Sequence, residues 1–263
     1  MPTQTATPAN DPFITNRYGE LCSEIYVLDK PPGALGDIGY YTQALKPLDG
    51  PVLEAGCGSG RLMIPLLEAG IAMEGFDRSA HMLAEHRKAA DARSLNARLQ
   101  QATYEDFAYA APFAAIISPV GTFTLIETYE AALAALRRFH AHLKPGGRLF
   151  VDLMPLAYLT ANGHDGIRTW TTPTGDLLRL ESRRAELDLL NQRLVVHTRY
   201  ERWRGSRLVD MELEALATRL WGLREFELTL KEAGFGEVTV CGDYRVGRPP
   251  GPRDTYWCFQ AVR

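Results

Sequence analysis

The sequence predicts an α/β fold, a doubly wound and mostly parallel sheet interrupted by an antiparallel insertion. Three observations lead there. Short apolar strands alternate with amphipathic helices from Val52 to Leu153 and again from Leu223 to Val262, the rhythm of a parallel sheet covered on both faces. The first of these strands, Val52-Leu53, ends in Glu54 and enters a loop with Gly56, Gly58 and Gly60 at alternate positions, before a helix over Arg61–Glu68. Glycine tolerates positive φ and has no Cβ, so such a loop lets backbone amides approach a ligand at the carboxyl end of a strand. From about Ile167 to Leu220 the hydrophobic period changes to two, which predicts antiparallel strands with one solvated face.

The elements follow in order. Residues 1–12, MPTQTATPANDP, are polar and proline-containing, with no basic or apolar run, and read as a disordered lead rather than a signal peptide. Ile71–Phe76 is a short strand closed by Asp77, and Ser79 is the expected N-cap of a helix reaching about Ala90. Arg98–Ala102 is a third strand, followed by a turn at Thr103–Asp106, and Ala114–Ser118 is a fourth, nearly continuous apolar strand. A helix over Tyr129–Leu143 places Leu133, Leu136, His140 and Leu143 on one stripe and stops at Lys144-Pro145-Gly146-Gly147. Arg148–Leu153 is a fifth strand. Leu223, Phe226, Leu230 and Ala233 mark a last helix ended by Gly234, with closing strands at Glu237–Cys241 and Thr255–Val262. In the insertion, Leu178–Glu181 and Leu194–Trp203 alternate apolar and polar residues, and turns are expected at Thr172–Asp176, Asn191-Gln192 and Gly205-Ser206. These boundaries divide the chain into an α/β domain at 47–162 and 221–263, an insertion at 163–220 lying over the site, and an N-terminal helical segment at 13–46.

Bulk properties narrow the function. At 263 residues, 46% hydrophobic and 23% charged, the composition is that of an ordinary globular protein with ample core. A net charge of −3 and a pI near 6.1 supply no global field to recruit nucleic acid or an anionic membrane. No apolar run approaches the roughly 18 residues of a membrane span. The four cysteines, Cys22, Cys57, Cys241 and Cys258, are scattered without a C-x-x-C pair, so a reducing cytoplasm is expected and a zinc site is not. His140 and His142 lie two apart on one helix and His81 and His86 five apart, spacings that suit no shared metal, and none is expected.

The stretch VLEAGCGSG (Val52–Gly60) departs from a dinucleotide fingerprint, because Arg61 occupies the position of its third glycine. Its pattern, acid-x-G-x-G-x-G, resembles motif I of the class I S-adenosylmethionine-dependent methyltransferases. GFDRSAHML, QATYEDFAYAAPFAAIISPVGTF, LKPGGRLFVDL and LREFELTLKEAGF with VTVCGDY resemble later segments of that family in the expected order. The resemblance implies a Rossmann-like, seven-stranded sheet, S-adenosylmethionine as methyl donor and S-adenosylhomocysteine as product. It also implies roles. Glu54 would take the methionyl amino group, the loop amides would take its carboxylate end, and Gly56, Gly58 and Gly60 would leave room for the donor. Asp77 would receive the ribose hydroxyls and Met82 would rest against adenine. Arg78, Tyr104 and Ser118 complete the expected donor set. An acid often follows the third strand in the family, but Thr103 stands there, so adenine recognition falls to Glu105, Asp106 or backbone.

The acceptor side is less constrained. Tyr18–Tyr41 resembles the helical lid of small-molecule N- and O-methyltransferases, in which Tyr18 and Tyr26 either close over the sulfonium or pack the helix against the core. If the acceptor needs a base, His164, His197 and Tyr200 are the candidates. Thr122 and Phe123, leaving the fourth strand, and Trp170 and Trp203 in the insertion are expected substrate contacts, suited to a flat or heteroaromatic acceptor. Nine arginines from Arg168 to Arg207 form either a solvated face or an anion-binding surface. The expected partner is a small-molecule acceptor methylated on nitrogen or oxygen, the enzyme a monomer or homodimer. An RNA or protein methyltransferase, a donor-binding protein without turnover and a nicotinamide oxidoreductase are the competing readings.

Overall fold

In the structure, a computed structural model describing residues 14–160, 165–251 and 253–263, the chain alternates as expected. The lead at 1–12 and His164 lie outside the described residues. The chain begins with β1 (Ile14–Thr15), α1 (Glu20–Asp29), α2 (Ile38–Leu45), β2 (Val52–Ala55), α3 (Met63–Glu68), β3 (Met73–Asp77), α4 (Ala80–Asp91) and β4 (Arg98–Gln101). It continues through β5 (Phe113–Ser118), α5 (Tyr129–His142), β6 (Leu143–Leu153), β7 (Gly166–Thr171), β8 (Leu177–Asp188), β9 (Arg193–Arg204) and β10 (Arg207–Arg219). It closes with α6 (Leu223–Glu232), β11 (Gly236–Gly242) and β12 (Trp257–Val262). No described helix is long and apolar enough to cross a membrane.

The main sheet has seven strands in the order β11-β12-β6-β5-β2-β3-β4, with β12 antiparallel to both neighbours. The order reverses between β2 and β5, so a crevice opens beyond their carboxyl ends at this switch point. Both faces are covered, which explains the continuous apolar run of β5. Its Ile116 joins the cluster of Phe139, Trp221 and Phe226 under α5 and α6, while Ala115 and Ile117 join Tyr41, Leu45, Leu62 and Leu66 under α2 and α3. Ser79 caps α4, accepting from Met82 N–H at 3.1 Å, as the sequence predicts. One boundary differs. Extended structure begins at Leu143 rather than Arg148, because Gly146 (φ +72°) and Gly147 form a bulge whose backbone bonds to Arg263 at the end of the chain.

The second sheet runs β1-β10-β9-β8-β7, antiparallel except for β1, which pairs parallel to β10. It is the platform for the N-terminal segment. Asn16 acts as an extra strand position, donating from Nδ2 to Ala217 O at 3.0 Å and accepting from Ala217 N–H at 2.9 Å. The first-turn amides of α1, which have no intrahelical acceptors, find carboxylates on β10: Glu214 accepts from Gly19 at 2.6 Å and Glu212 from Cys22 at 3.0 Å. Leu21 and Ile25 of α1 pack on Leu178, Leu180, Trp170 and Tyr200, so α1 lies across the inner face of this sheet.

Candidate active site

A cavity of about 610 Å³ opens at the switch point, and a smaller one of about 30 Å³ adjoins it. The donor half of the large cavity is built from strand ends. Gly56 and Gly58 follow β2, Phe76 to Arg78 end β3, Met82 opens α4, and Ala102 to Glu105 follow β4. Asp77 accepts from Gly58 N–H at 2.9 Å through one oxygen and from Ser79 N–H at 2.8 Å through the other. Burial pushes its carboxyl up, and these amides oppose the rise. Each oxygen keeps a lone pair for a hydroxyl.

The glycines are required for different reasons. A Cβ on Gly56 would lie 2.5 Å from Thr122 Cγ2, and one on Gly60 would lie 2.6 Å from the His86 ring, while a Cβ on Gly58 would meet nothing within 4 Å. Only Gly58 therefore holds space open for a ligand. Gly60 touches neither cavity and makes room for a protein side chain instead, a correction to its expected role. His86 is fully buried, with Nδ1 3.2 Å from Gly58 O, and burial drops its pKa to about 4.

The smaller cavity is lined by Tyr26, Glu54, Ser59 and Arg61. Arg61 makes a two-pronged pair with Asp37, at 2.9 and 2.6 Å, with Asp37 fully buried. Burial disfavours the Arg61 charge, but Asp37 more than restores it. Asp37 immediately precedes α2, so this pair ties the lid to the glycine loop. Burial pushes the Glu54 carboxyl up to about 8, with Arg61 opposing, and its Oε2 is buried without a partner. That orphaned oxygen and the open space at Gly58 fit a ligand with an ammonium group, such as a methionyl end.

On the adenine side the candidates separate. Glu105 lines the cavity, whereas the Asp106 carboxylate turns back to Thr103, accepting from its N–H at 2.6 Å and its hydroxyl at 2.9 Å. Ser118 is fully buried and meets the Tyr104 hydroxyl at 3.1 Å, so it positions Tyr104 rather than lining the cavity.

The acceptor half gathers Tyr18, Tyr26, Lys30 and Leu35 from the lid with Val120, Gly121 and Thr122 after β5. Met154, Tyr158, Leu216, Thr218 and Tyr256 complete it. Tyr26 and Thr122 line both cavities, where donor and acceptor would meet. Met154, Tyr158 and Tyr256 escaped the sequence reading. Met154 precedes and Tyr158 lies within a short helical turn at Leu156–Thr160, too brief to carry a periodic signal. Tyr256 falls in the expected strand Thr255–Val262, which in the structure begins only at Trp257. Five expected contacts are elsewhere. Phe123 is fully buried against Trp221 and Phe226, because the turn at Thr122–Leu125 sends successive side chains in opposite directions. Tyr200 and Trp170 pack beneath α1. His197 and Trp203 share the opposite face of β9, since Val196 and Leu194 take the inner one. Arg168, Arg179, Arg193 and Arg204 pair with Asp29, Glu201, Glu127 and Asp176, which favours the reading of a solvated face.

A family model described as a methyltransferase domain matches residues 52–147. Cypemycin N-terminal methyltransferase from Streptomyces sp is 28% identical over 256 residues, spanning 91% of this chain and 94% of that protein. A sugar N-methyltransferase from Streptoalloteichus superposes with a TM-score of 0.74 at 20% identity, covering 100% of this chain and 98% of the other. An S-adenosylmethionine-bound amino pentose methyltransferase from Micromonospora echinaspora gives a TM-score of 0.66 at 18% identity, covering 94% and 98%. The structural likenesses fix the fold, the matched methyltransferase domain covers the strand ends that build the donor half, and the chain is an enzyme that uses S-adenosylmethionine as methyl donor.

Proposed function

We propose that this enzyme methylates an amine nitrogen of a small natural product or short peptide. The observation that carries the reading is the chemistry of the acceptor half. Its described lining offers tyrosine and threonine hydroxyls, the Lys30 ammonium, which pairs with Asp29 at 3.2 Å, and apolar groups, but no imidazole and no unpaired carboxylate. Glu127, which also lines the cavity, is committed to Arg193 at 3.1 Å, and Glu105 sits with the donor half. An alcohol needs a base before it attacks a methyl carbon, whereas a neutral amine needs only orientation. The relatives support the same class: one is described as a cypemycin N-terminal methyltransferase, one as a sugar N-methyltransferase and one as an amino pentose methyltransferase.

S-adenosylmethionine, when bound, supplies a methyl carbon activated by its sulfonium. Asp77 would hold the ribose end and Glu54 the ammonium end, fixing where that carbon lies. Tyr26, at the junction of the two cavities, and the lid helix α1 exclude water and align the amine. Such alignment can supply up to about 7–11 kcal/mol of the barrier reduction. The resulting N-methylammonium then loses its proton to solvent.

The test is an extract of amine-rich metabolites incubated with enzyme and donor carrying an isotopically labelled methyl group. Label should appear on nitrogen. Label on oxygen or carbon overturns the nitrogen reading. Tight donor binding without any S-adenosylhomocysteine release would favour a donor-binding protein instead.

A further inference from the structure

His86 of α4 has no part in the donor contacts described above, yet it occupies the space that the missing Cβ of Gly60 leaves open. A carbonyl oxygen only accepts, so the 3.2 Å contact with Gly58 O requires the proton on Nδ1. Nε2 is then a bare lone pair, buried without a partner. The low pKa keeps the ring neutral and this single tautomer in place. Gly58 is thereby pinned on both sides: its N–H donates to Asp77 and its carbonyl accepts from His86. It is also the loop glycine with φ +51° and open space at its Cβ.

The other loop amides are occupied. Gly56 and Cys57 both donate to Phe76 O at 2.9 Å, and Gly60 donates to Cys57 O at 3.0 Å. Ser59 N–H has no protein acceptor among the described residues. The described peptide bonds are all trans, so the Ser59 N–H lies on the side of its peptide plane opposite the Gly58 carbonyl. With that carbonyl drawn towards His86, the amide faces away from α4, and Ser59 lines the small cavity beside Glu54 and Arg61.

We propose that His86 is a positioning residue for the donor, holding the Gly58 carbonyl so that the Ser59 amide presents to the carboxylate end of the methionyl group. The inference rests on the donor assignment and not on which acceptor is used. It predicts that His86 governs the amino-acid end of the donor and leaves the nucleoside end alone.

Calorimetry with two ligands separates those ends: S-adenosylhomocysteine, and methylthioadenosine, which shares the nucleoside and thioether but lacks the amino-acid group. His86→Leu should weaken S-adenosylhomocysteine about tenfold while methylthioadenosine stays within about twofold. His86→Asn, whose amide nitrogen can occupy the Nδ1 position, should hold S-adenosylhomocysteine within about threefold of the parent. His86→Gln, which places its amide nearer the Nε2 position, should resemble leucine, and the Asn–Gln pair decides the matter if the leucine variant does not fold. Equal weakening of both ligands, no weakening in leucine, or equal behaviour of Asn and Gln would overturn the proposal. Failure of the parent enzyme to bind either ligand would instead sink the donor assignment.

Discussion

The two halves of the cavity are built in opposite ways. The donor half comes from one stretch of chain, Glu54 to Glu105, in which Gly58 and Asp77 are joined directly and the other polar groups either bond to the loop or await a ligand. The acceptor half draws on the lid, the ends of β5 and β6, the inner face of the second sheet and the hairpin before β12, with residues as distant as Tyr18 and Tyr256. One half is fixed by backbone geometry at strand ends; the other is fixed by how two sheets and a lid are packed together. Changes in the first should therefore move donor affinity, and changes in the second should move acceptor kinetics alone.

The largest effect is expected where the halves are joined. Asp37→Ala leaves the Arg61 guanidinium buried and unpaired, which should cost about 3–5 kcal/mol of stability in urea denaturation. Replacing both partners by apolar residues of similar size should recover most of that stability while donor affinity stays impaired. Recovery of both would make the pair merely structural. Next in size, Asp77→Ala removes the carboxylate proposed to take the ribose hydroxyls, and with it the acceptor for Gly58 and Ser79 N–H. Donor affinity should fall about 100-fold, roughly 2.7 kcal/mol, by calorimetry. Normal binding would mean that the donor half is wrongly assigned.

The same contrast explains what could be read from the sequence. Glu54, Gly58, Asp77 and Met82 were visible because each is tied to a strand end or a helix start, and those boundaries follow from hydrophobic period and glycine. Asp37 was not, since its partner lies 24 positions away and no local pattern links them. Arg61 at the head of an apolar helix was the available clue that a buried acid must exist. His86 shares the buried stripe of Met82, Leu83 and Ala90, a signal that marks an imprisoned imidazole but not the Gly58 carbonyl it meets. On β9, period two was read correctly, but which face turns inward depends on the packing of Leu194 and Val196, and His197 and Trp203 fell on the other side.

Glu54 offers a test of the donor half by pH. Its carboxyl rises from 4.5 to about 8 on folding, so between those values the folded protein holds a proton that the unfolded chain has lost. Stability is then fully present below pH 4.5 and declines as pH rises towards 8, by up to about 1.4 kcal/mol per pH unit. Glu54→Gln lacks this term, so its melting temperature relative to the parent should climb between pH 5 and 8 and level off above. An ammonium bound beside Glu54 reverses the burial effect. Donor binding at neutral pH should consequently release protons in the parent, seen as a buffer-dependent calorimetric enthalpy, and none from this site in Glu54→Gln. A flat difference in melting temperature across that range would show that Glu54 is ionised in the free enzyme.

The smallest effects discriminate best between the halves. Tyr158 and Tyr256 line the acceptor region, while the Tyr104 hydroxyl is turned to Ser118 and to Ala55 O behind the donor half. Loss of one phenol hydrogen bond is worth about 0.5–1.5 kcal/mol, or roughly two- to tenfold. Tyr158→Phe and Tyr256→Phe should lower kcat/KM for the amine by that factor with donor affinity unchanged. Tyr104→Phe should do the reverse, weakening the donor while leaving the KM of the amine as it was. If all three variants shift donor and acceptor parameters together, the cavity behaves as one mechanically coupled site, and specificity cannot be assigned to the lid and second sheet alone.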